Sequence, residues 1–118
     1  MLPRMLRGVS DDGVVVEAFV KRLSHPAADA RCAAALCLGA FGTSGGVQAL
    51  LGRVKDPGED LPVRLCAADA LGHIGDVSAV QPLTELLGAE PPLQVRLAIS
   101  QALERIRQRQ ASAPGPAR

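Results

Sequence analysis

The sequence predicts an all-α solenoid, a stack of antiparallel helix pairs. The first observation is an internal repeat. Arg64-Leu65-Cys66-Ala67-Ala68-Asp69-Ala70-Leu71-Gly72-His73-Ile74-Gly75 restates Arg31-Cys32-Ala33-Ala34-Ala35-Leu36-Cys37-Leu38-Gly39-Ala40-Phe41-Gly42 at a distance of 33 positions, and Arg96 to Leu103 opens a third copy after 32 more. A period of this length is that of helix pairs that cannot bury their apolar faces alone and do so by stacking. The second observation is composition. The chain of 118 residues is 47% hydrophobic, and alanine and leucine, both strong helix formers, dominate that share. The third is punctuation: Gly39 with Gly42, Asp56-Pro57-Gly58, Gly72 with Gly75, and Gly88 follow apolar stretches, where helices stop.

The elements follow in order. Val16, Phe19, Val20 and Leu23 recur at helical spacing and define a first helix near 14–24. Pro26 fits a first helical turn, and Ala30, Ala34, Cys37, Leu38 and Phe41 then form the inward stripe of a helix near 26–39. Thr43 is placed to cap the next helix, near 46–55, whose buried side is Val47, Leu50, Leu51 and Val54. Asp60 is a candidate cap and Pro62 an early helical residue for the helix near 62–72, with Val63, Ala67, Ala70, Leu71 and Ile74 inward. Asp76 opens the following element, and Ser78 and Gln81 have the spacing of a capping box. Pro82 lacks an amide donor, which predicts a short turn at 77–80 before regular helix to Leu87, with Val77, Val80, Leu83 and Leu87 apolar and Gly88 as the stop. Val95, Ile99, Ala102, Leu103 and Ile106 define the last helix, near 92–108. The whole reads as half a unit, two whole units and half a unit. Residues 1–110 make a single repeat domain, and 111–118, rich in Ala, Pro and Gly, are expected to be a disordered basic tail. Deleting residues from 109 onward is expected to leave folding intact.

The repeat resembles the HEAT-like repeats of the phycobilisome-lyase type. The matching letters are Val63-Arg64, Ala67-Ala68, Ala70-Leu71-Gly72, Gly75-Asp76, Ala79-Val80 and Pro82-Leu83 followed by Leu86-Leu87, and the likeness spans about residues 14–106. The resemblance implies an α-solenoid. It also implies one enzymatic alternative, a bilin lyase or its small partner subunit. HEAT-like hydroxylases of a modified lysine carry His-Glu pairs on successive repeats; neither His25 nor His73 is followed by Glu.

Charge and composition narrow the function. Net charge is +1, but segment 11–104 holds seven basic and twelve acidic residues, while 105–118 holds Arg105, Arg107, Arg109 and Arg118 without an acid. An acidic body without Trp or Tyr weighs against nucleic acid, the third function class considered. No apolar run has the length of a membrane span, and a cytoplasmic location is the default expectation. Cys32, Cys37 and Cys66 sit in alanine-rich helical patterns and are expected to be buried free thiols.

No constellation for chemistry is legible. His73 and Cys66 supply two metal-ligand types without a third at suitable spacing, so no metal, cofactor or catalytic residue is assigned. Arg31, Arg64 and Arg96 recur at one register and are read as a structural ladder, with Asp76 as helix cap and arginine partner. Position 36 is Leu where the later copies carry Asp69 and Gln101, so Leu36 is an outward leucine. The surface left over is the outer face of the second helices: Glu17, Lys21, Arg22, Gln48, Gly52, Arg53, Gln81 and Glu85. In stacked pairs such a face binds other proteins or peptides. The reading is therefore a non-catalytic interaction scaffold, with a weak homodimer through the N-terminal end, where Phe19 and Val20 lack a cover unless Met1, Leu2, Met5 and Leu6 supply one.

Overall fold

The computed structural model describes residues 11–112. Six α-helices follow one another: α1 (Asp11–Arg22), α2 (Ala28–Phe41), α3 (Val47–Lys55), α4 (Leu61–Ile74), α5 (Val80–Gly88) and α6 (Leu93–Ser112). Short 3-10 turns, Ser44–Gly46 and Val77–Ala79, precede α3 and α5, the second at the place where Pro82 called for it. There is no strand among the described residues. The cover expected from Met1, Leu2, Met5 and Leu6 lies outside them, as do 113–118 of the expected tail.

The first helices of successive units, α2, α4 and α6, stack directly on one another, and α1, α3 and α5 each lie against the first helix that follows. Small residues permit the stacking. A methyl at Gly39 would stand 2.9 Å from the Ala70 Cα, and one at Gly72 would stand 3.0 Å from the Ala102 Cα. The helices touch backbone to backbone at these crossings, so alanine and glycine there are packing residues in their own right. Around them lies one continuous core. Leu38, Leu50, Leu51, Val54, Val63, Leu71, Leu83, Val95, Ile99 and Ile106 are all buried.

Helix ends explain most differences from the expected bounds. The α2 helix begins at Ala28, because His25 Nδ1 accepts from the Ala27 amide (2.9 Å) and leaves Pro26 in the preceding loop. Gly42 and Gly75 close α2 and α4 in the left-handed region, φ 72° and 73°, where a side chain would be strained. The third copy carries Arg107 at that register. Without a glycine stop α6 runs on to Ser112, past the expected end at 108 and into the stretch assigned to the tail. The Asp76 side chain caps as expected, accepting from the Ser78 amide (2.9 Å). Thr43 and Asp60 occupy cap positions but their side chains make no capping bond. The Thr43 Oγ1 is buried without a partner among the described residues, and Asp60 leans toward Arg31 instead (4.0 Å).

Three inward assignments are corrected. Phe41 is exposed and lies beside Phe19, ring centroids 6.1 Å apart. Val77 and Val80 are exposed as well, since no further helix among the described residues covers the start of α5. The cysteines are not all free thiols. Cys32 of α2 and Cys66 of α4, one position apart in the repeat register and with Cα atoms 5.6 Å apart, form a disulfide, leaving Cys37 free. The direct stacking of first helices brings these registers together, which separate helical patterns could not reveal. Leu36 is outward, as expected.

Candidate functional site

The candidate face is carried by three helices. On α1, Glu17, Lys21 and Arg22 are exposed. On α3, Gln48 and Gly52 are exposed, and nothing lies within 4 Å of the place a Gly52 methyl would take. On α5, Gln81 donates to Glu85 (3.3 Å) across one helical turn, both exposed. Arg53 is different: it is half-buried, and its guanidinium donates to Glu59 (3.0 Å). Seven of the eight residues therefore face solvent, and Arg53 is a bracing residue.

Glu59, which the sequence offers with Asp60 only as a loop pair favourable beside a helix start, has a larger part. It lies in the loop before α4 with a side chain only 2% exposed. It accepts from Arg31 through both oxygens (2.7 and 3.0 Å), from Arg53, and from the Asp60 amide (2.7 Å). Burial alone would push its carboxyl upward; the hydrogen bonds from Arg31, the Asp60 amide and Arg53 outweigh burial and hold it below the usual carboxylate range. Arg31 also donates to the carbonyls of His25 and Pro26 (2.8 and 3.0 Å), so two guanidiniums and one carboxylate tie α2, α3 and two loops together. The only advance signal was an acid in a loop between two arginine-bearing helices.

Two of the three ladder arginines, Arg31 and Arg64, bond within the repeat, with partners other than Asp76. Arg64 is buried and its Nε donates to the Val54 carbonyl (2.9 Å), satisfying an oxygen near the end of α3. Arg96 is exposed and forms no such bond among the described residues. The carbonyls ahead of Asp76 are met from α6 instead. Arg109 donates to the oxygens of His73 (3.0 Å) and Ile74 (2.8 Å), capping α4 from outside and lying over Gly75, where a methyl would stand within 2.7 Å of the guanidinium. Arg109 and Gln110, within the stretch expected to be dispensable, thus bond to the end of α4.

On the outer face of the first helices, His73 meets Arg105 (3.1 Å) and Asp69 (3.4 Å), and Arg105 pairs with Asp69 (3.6 Å). These groups largely satisfy one another. Among the described residues no three His, Cys, Asp or Glu side chains converge as a metal site would need. No helix among them is long and apolar enough to cross a membrane.

Two apolar grooves flank the stack. One, of about 530 Å³, lies between α5 and α6 and is floored by Val77, Val80, Leu103 and Ile106, with Thr84 and Ser100 at its sides. The other, of about 450 Å³, lies between α1 and the turn after α2, and includes Val16, Val20 and Thr43.

Comparison with known proteins agrees with this architecture. The pattern of HEAT repeats matches residues 16–104. The chain is similar to phycocyanobilin lyase subunit alpha of Picosynechococcus sp., 44% identical over 70 residues, which is 55% of this chain and 26% of that protein. Its fold is similar to that of human deoxyhypusine hydroxylase in complex with glycerol, with a TM-score of 0.76 at 23% identity, over 87% of this chain and 35% of that one. The chain thus spans about a quarter of the lyase subunit and about a third of the hydroxylase. The repeat pattern and the stacked helix pairs lead to one conclusion: the chain belongs to the HEAT-repeat proteins.

Proposed function

We propose that the protein is a non-catalytic scaffold that binds another protein or peptide along the exposed face of α1, α3 and α5. The observation that carries this reading is the division of labour among its polar groups. Arg31, Arg53, Glu59, Arg64, Asp76 and Arg109 are all engaged in holding the repeat together. Glu17, Lys21, Gln48 and the open surface at Gly52 are turned to solvent. Small residues at such a surface allow a partner backbone to approach closely. A tagged chain used as bait in its native extract tests the reading, compared with a variant carrying Lys21→Glu, Gln48→Glu and Gly52→Trp. A partner retained by the wild type and lost by the variant, at unchanged helicity, supports it. Equal capture by both refutes the assigned face.

The similarity to a phycocyanobilin lyase subunit favours a second reading, a lyase-like protein or a partner subunit of one. Bilin transfer would then appear as an absorbance change on an acceptor cysteine that depends on this chain. The nucleic-acid reading predicts binding that weakens steeply with salt. A cytoplasmic location belongs to the scaffold proposal, and there the Cys32–Cys66 bridge would be of the reversible kind.

A further inference from the structure

The start of α2 lacks an apolar anchor that the later first helices possess. Aligned on Arg31, Arg64 and Arg96, the three first helices carry Ala30, Val63 and Val95 at one register. Val63 and Val95 are both 0% exposed. Ala30 is only half-buried, and its smaller side chain has much less apolar surface to bury. The buried residues of α2 accordingly begin at Ala34, whereas those of α4 begin at Val63. From Ala34 onward α2 is held by the core, and at Gly39 by the close approach to Ala70. Ahead of it, residues 28–33 have no buried side chain among the described residues.

Two other bonds hold that segment. Arg31 pairs with Glu59 (2.7 Å), in the loop before α4, and Cys32 is joined to Cys66 on α4 itself. Both cysteines are half-buried, so the bridge lies at the edge of the core and not within it. At the junction of α4 and α6 the corresponding registers carry Leu65 and Ala98, which pack against the core and offer no sulfur. Of these two junctions between first helices, the covalent tie therefore stands where the valine anchor is missing.

We propose that the Cys32–Cys66 bridge is a redox latch on the start of α2. Closed, it holds residues 28–33 against α4. Open, it lets that segment come away from α4 while the remainder of the stack stays packed, because a segment with few buried apolar contacts opens locally at low cost. Arg31 also binds the carbonyls of His25 and Pro26, so the loop arriving from α1 is coupled to the segment. The opening reaction is exchange with a dithiol reductant. One thiolate of the reductant attacks the Sγ of Cys32 or Cys66; the S–S bond breaks, and the other cysteine leaves as a thiolate and takes up a proton. The second thiol of the reductant then displaces the first cysteine. Two electrons and two protons pass to the cysteine pair, and the dithiol departs as a disulfide. The latch requires neither the binding face nor the location assigned above.

Hydrogen exchange of the full chain, followed by mass spectrometry with and without dithiothreitol under native conditions, tests the proposal. Dithiothreitol is expected to open Cys32 and Cys66 to alkylation by N-ethylmaleimide while circular dichroism keeps its helical signal. The Arg31 amide donates to the Ala27 carbonyl (3.1 Å), and such bonds in the first turns report the segment. Peptide 28–35 is expected to exchange at least about tenfold faster after reduction, relative to a peptide from α6. That ratio is the readout, since losing a cross-link also speeds exchange through global unfolding, which affects both peptides alike. Cys32→Ser is expected to show the fast exchange without dithiothreitol and no response to it. A bridge that is reduced only in urea overturns the proposal, as does a chain that loses its helicity on reduction. Equal acceleration of the two peptides, or none in 28–35, also overturns it.

Discussion

Gly39→Ala sets two well-measured effects against each other. Alanine in a helix interior is favoured over glycine by about 0.5–1 kcal/mol, since it loses less backbone entropy. At Gly39 the new methyl would meet the Ala70 Cα at 2.9 Å and the Ala70 Cβ at 3.0 Å. Carbon atoms attract best at about 3.5–4.0 Å, so α2 and α4 must part by roughly 0.5–1 Å. The obstructing atoms are backbone and Cβ, which have no rotamer by which to yield. Overpacking of this kind costs about 1–3 kcal/mol. The net expectation is a loss of about 1–2 kcal/mol. Gly52→Ala is the internal control. It lies within α3, and nothing is within 4 Å of its added methyl, so the propensity gain of about 0.5–1 kcal/mol should appear undiminished. Urea denaturation followed by circular dichroism reads both variants against wild type. The two substitutions, chemically identical, should move the midpoint in opposite directions. A Gly39→Ala midpoint equal to or above wild type would refute the close crossing of α2 and α4.

Leu71→Ala, at a site 1% exposed in the centre of the stack, should cost about 2–5 kcal/mol in the same assay, and a loss under about 1 kcal/mol would place Leu71 at the surface. The Glu59 carboxyl titrates below its ordinary value in the folded protein, so its stabilising contribution is complete above about pH 4.3, the unfolded value, and is lost as pH falls through the lower folded one. Glu59→Gln should cost about 3 kcal/mol at neutral pH and flatten that acid limb of the stability profile; an unchanged limb would show that other carboxylates carry it. Arg109→Ala removes two charge-assisted bonds to α4 carbonyls and should lower the melting temperature by about 6 °C, whereas deleting only 113–118 should leave it unchanged. The Cys32–Cys66 bridge spans a sequence separation of 34, which by loop-closure entropy stabilises by about 4 kcal/mol; unfolding midpoints with and without reductant measure it, and alkylation of all three cysteines in the unreduced, unfolded chain would disprove the pairing.

Legibility differed sharply between helix stripes and helix ends. The stripes of α3 and α4 are buried as the spacing predicts, because a period of three and four residues is enough to define a face. Caps were less legible. Asp76 caps as its type and position suggest, yet Thr43 and Asp60 at analogous places do not. The Asp60 side chain leans toward Arg31, while the Thr43 Oγ1 is buried without a partner among the described residues; a cap is a single weak bond that packing nearby readily forfeits. Of the candidate face, Glu17, Lys21 and Gln48 could be read as outward from helical phase alone. Arg53 shares that phase but is diverted by Glu59, an acid six residues downstream beyond a Pro-Gly turn.

What the sequence by itself determined is everything set by short-range pattern: six helices, their order, the repeat of about 33 residues and the glycine stops of α2 and α4. Each is fixed by the side chains of one or two helical turns, so each can be read without knowing its neighbours. Only the tertiary structure decided what depends on the distance between turns far apart in the chain. It joined Cys32 to Cys66, gathered Arg31 and Arg53 around Glu59, and set Arg109 over the end of α4. It also distinguished Leu71 from Leu103, identical residues at one register, by burying the first and leaving the second partly open. The physical reason is the same in each case: a repeat specifies what a position prefers to touch, but the neighbouring units determine whether that contact exists.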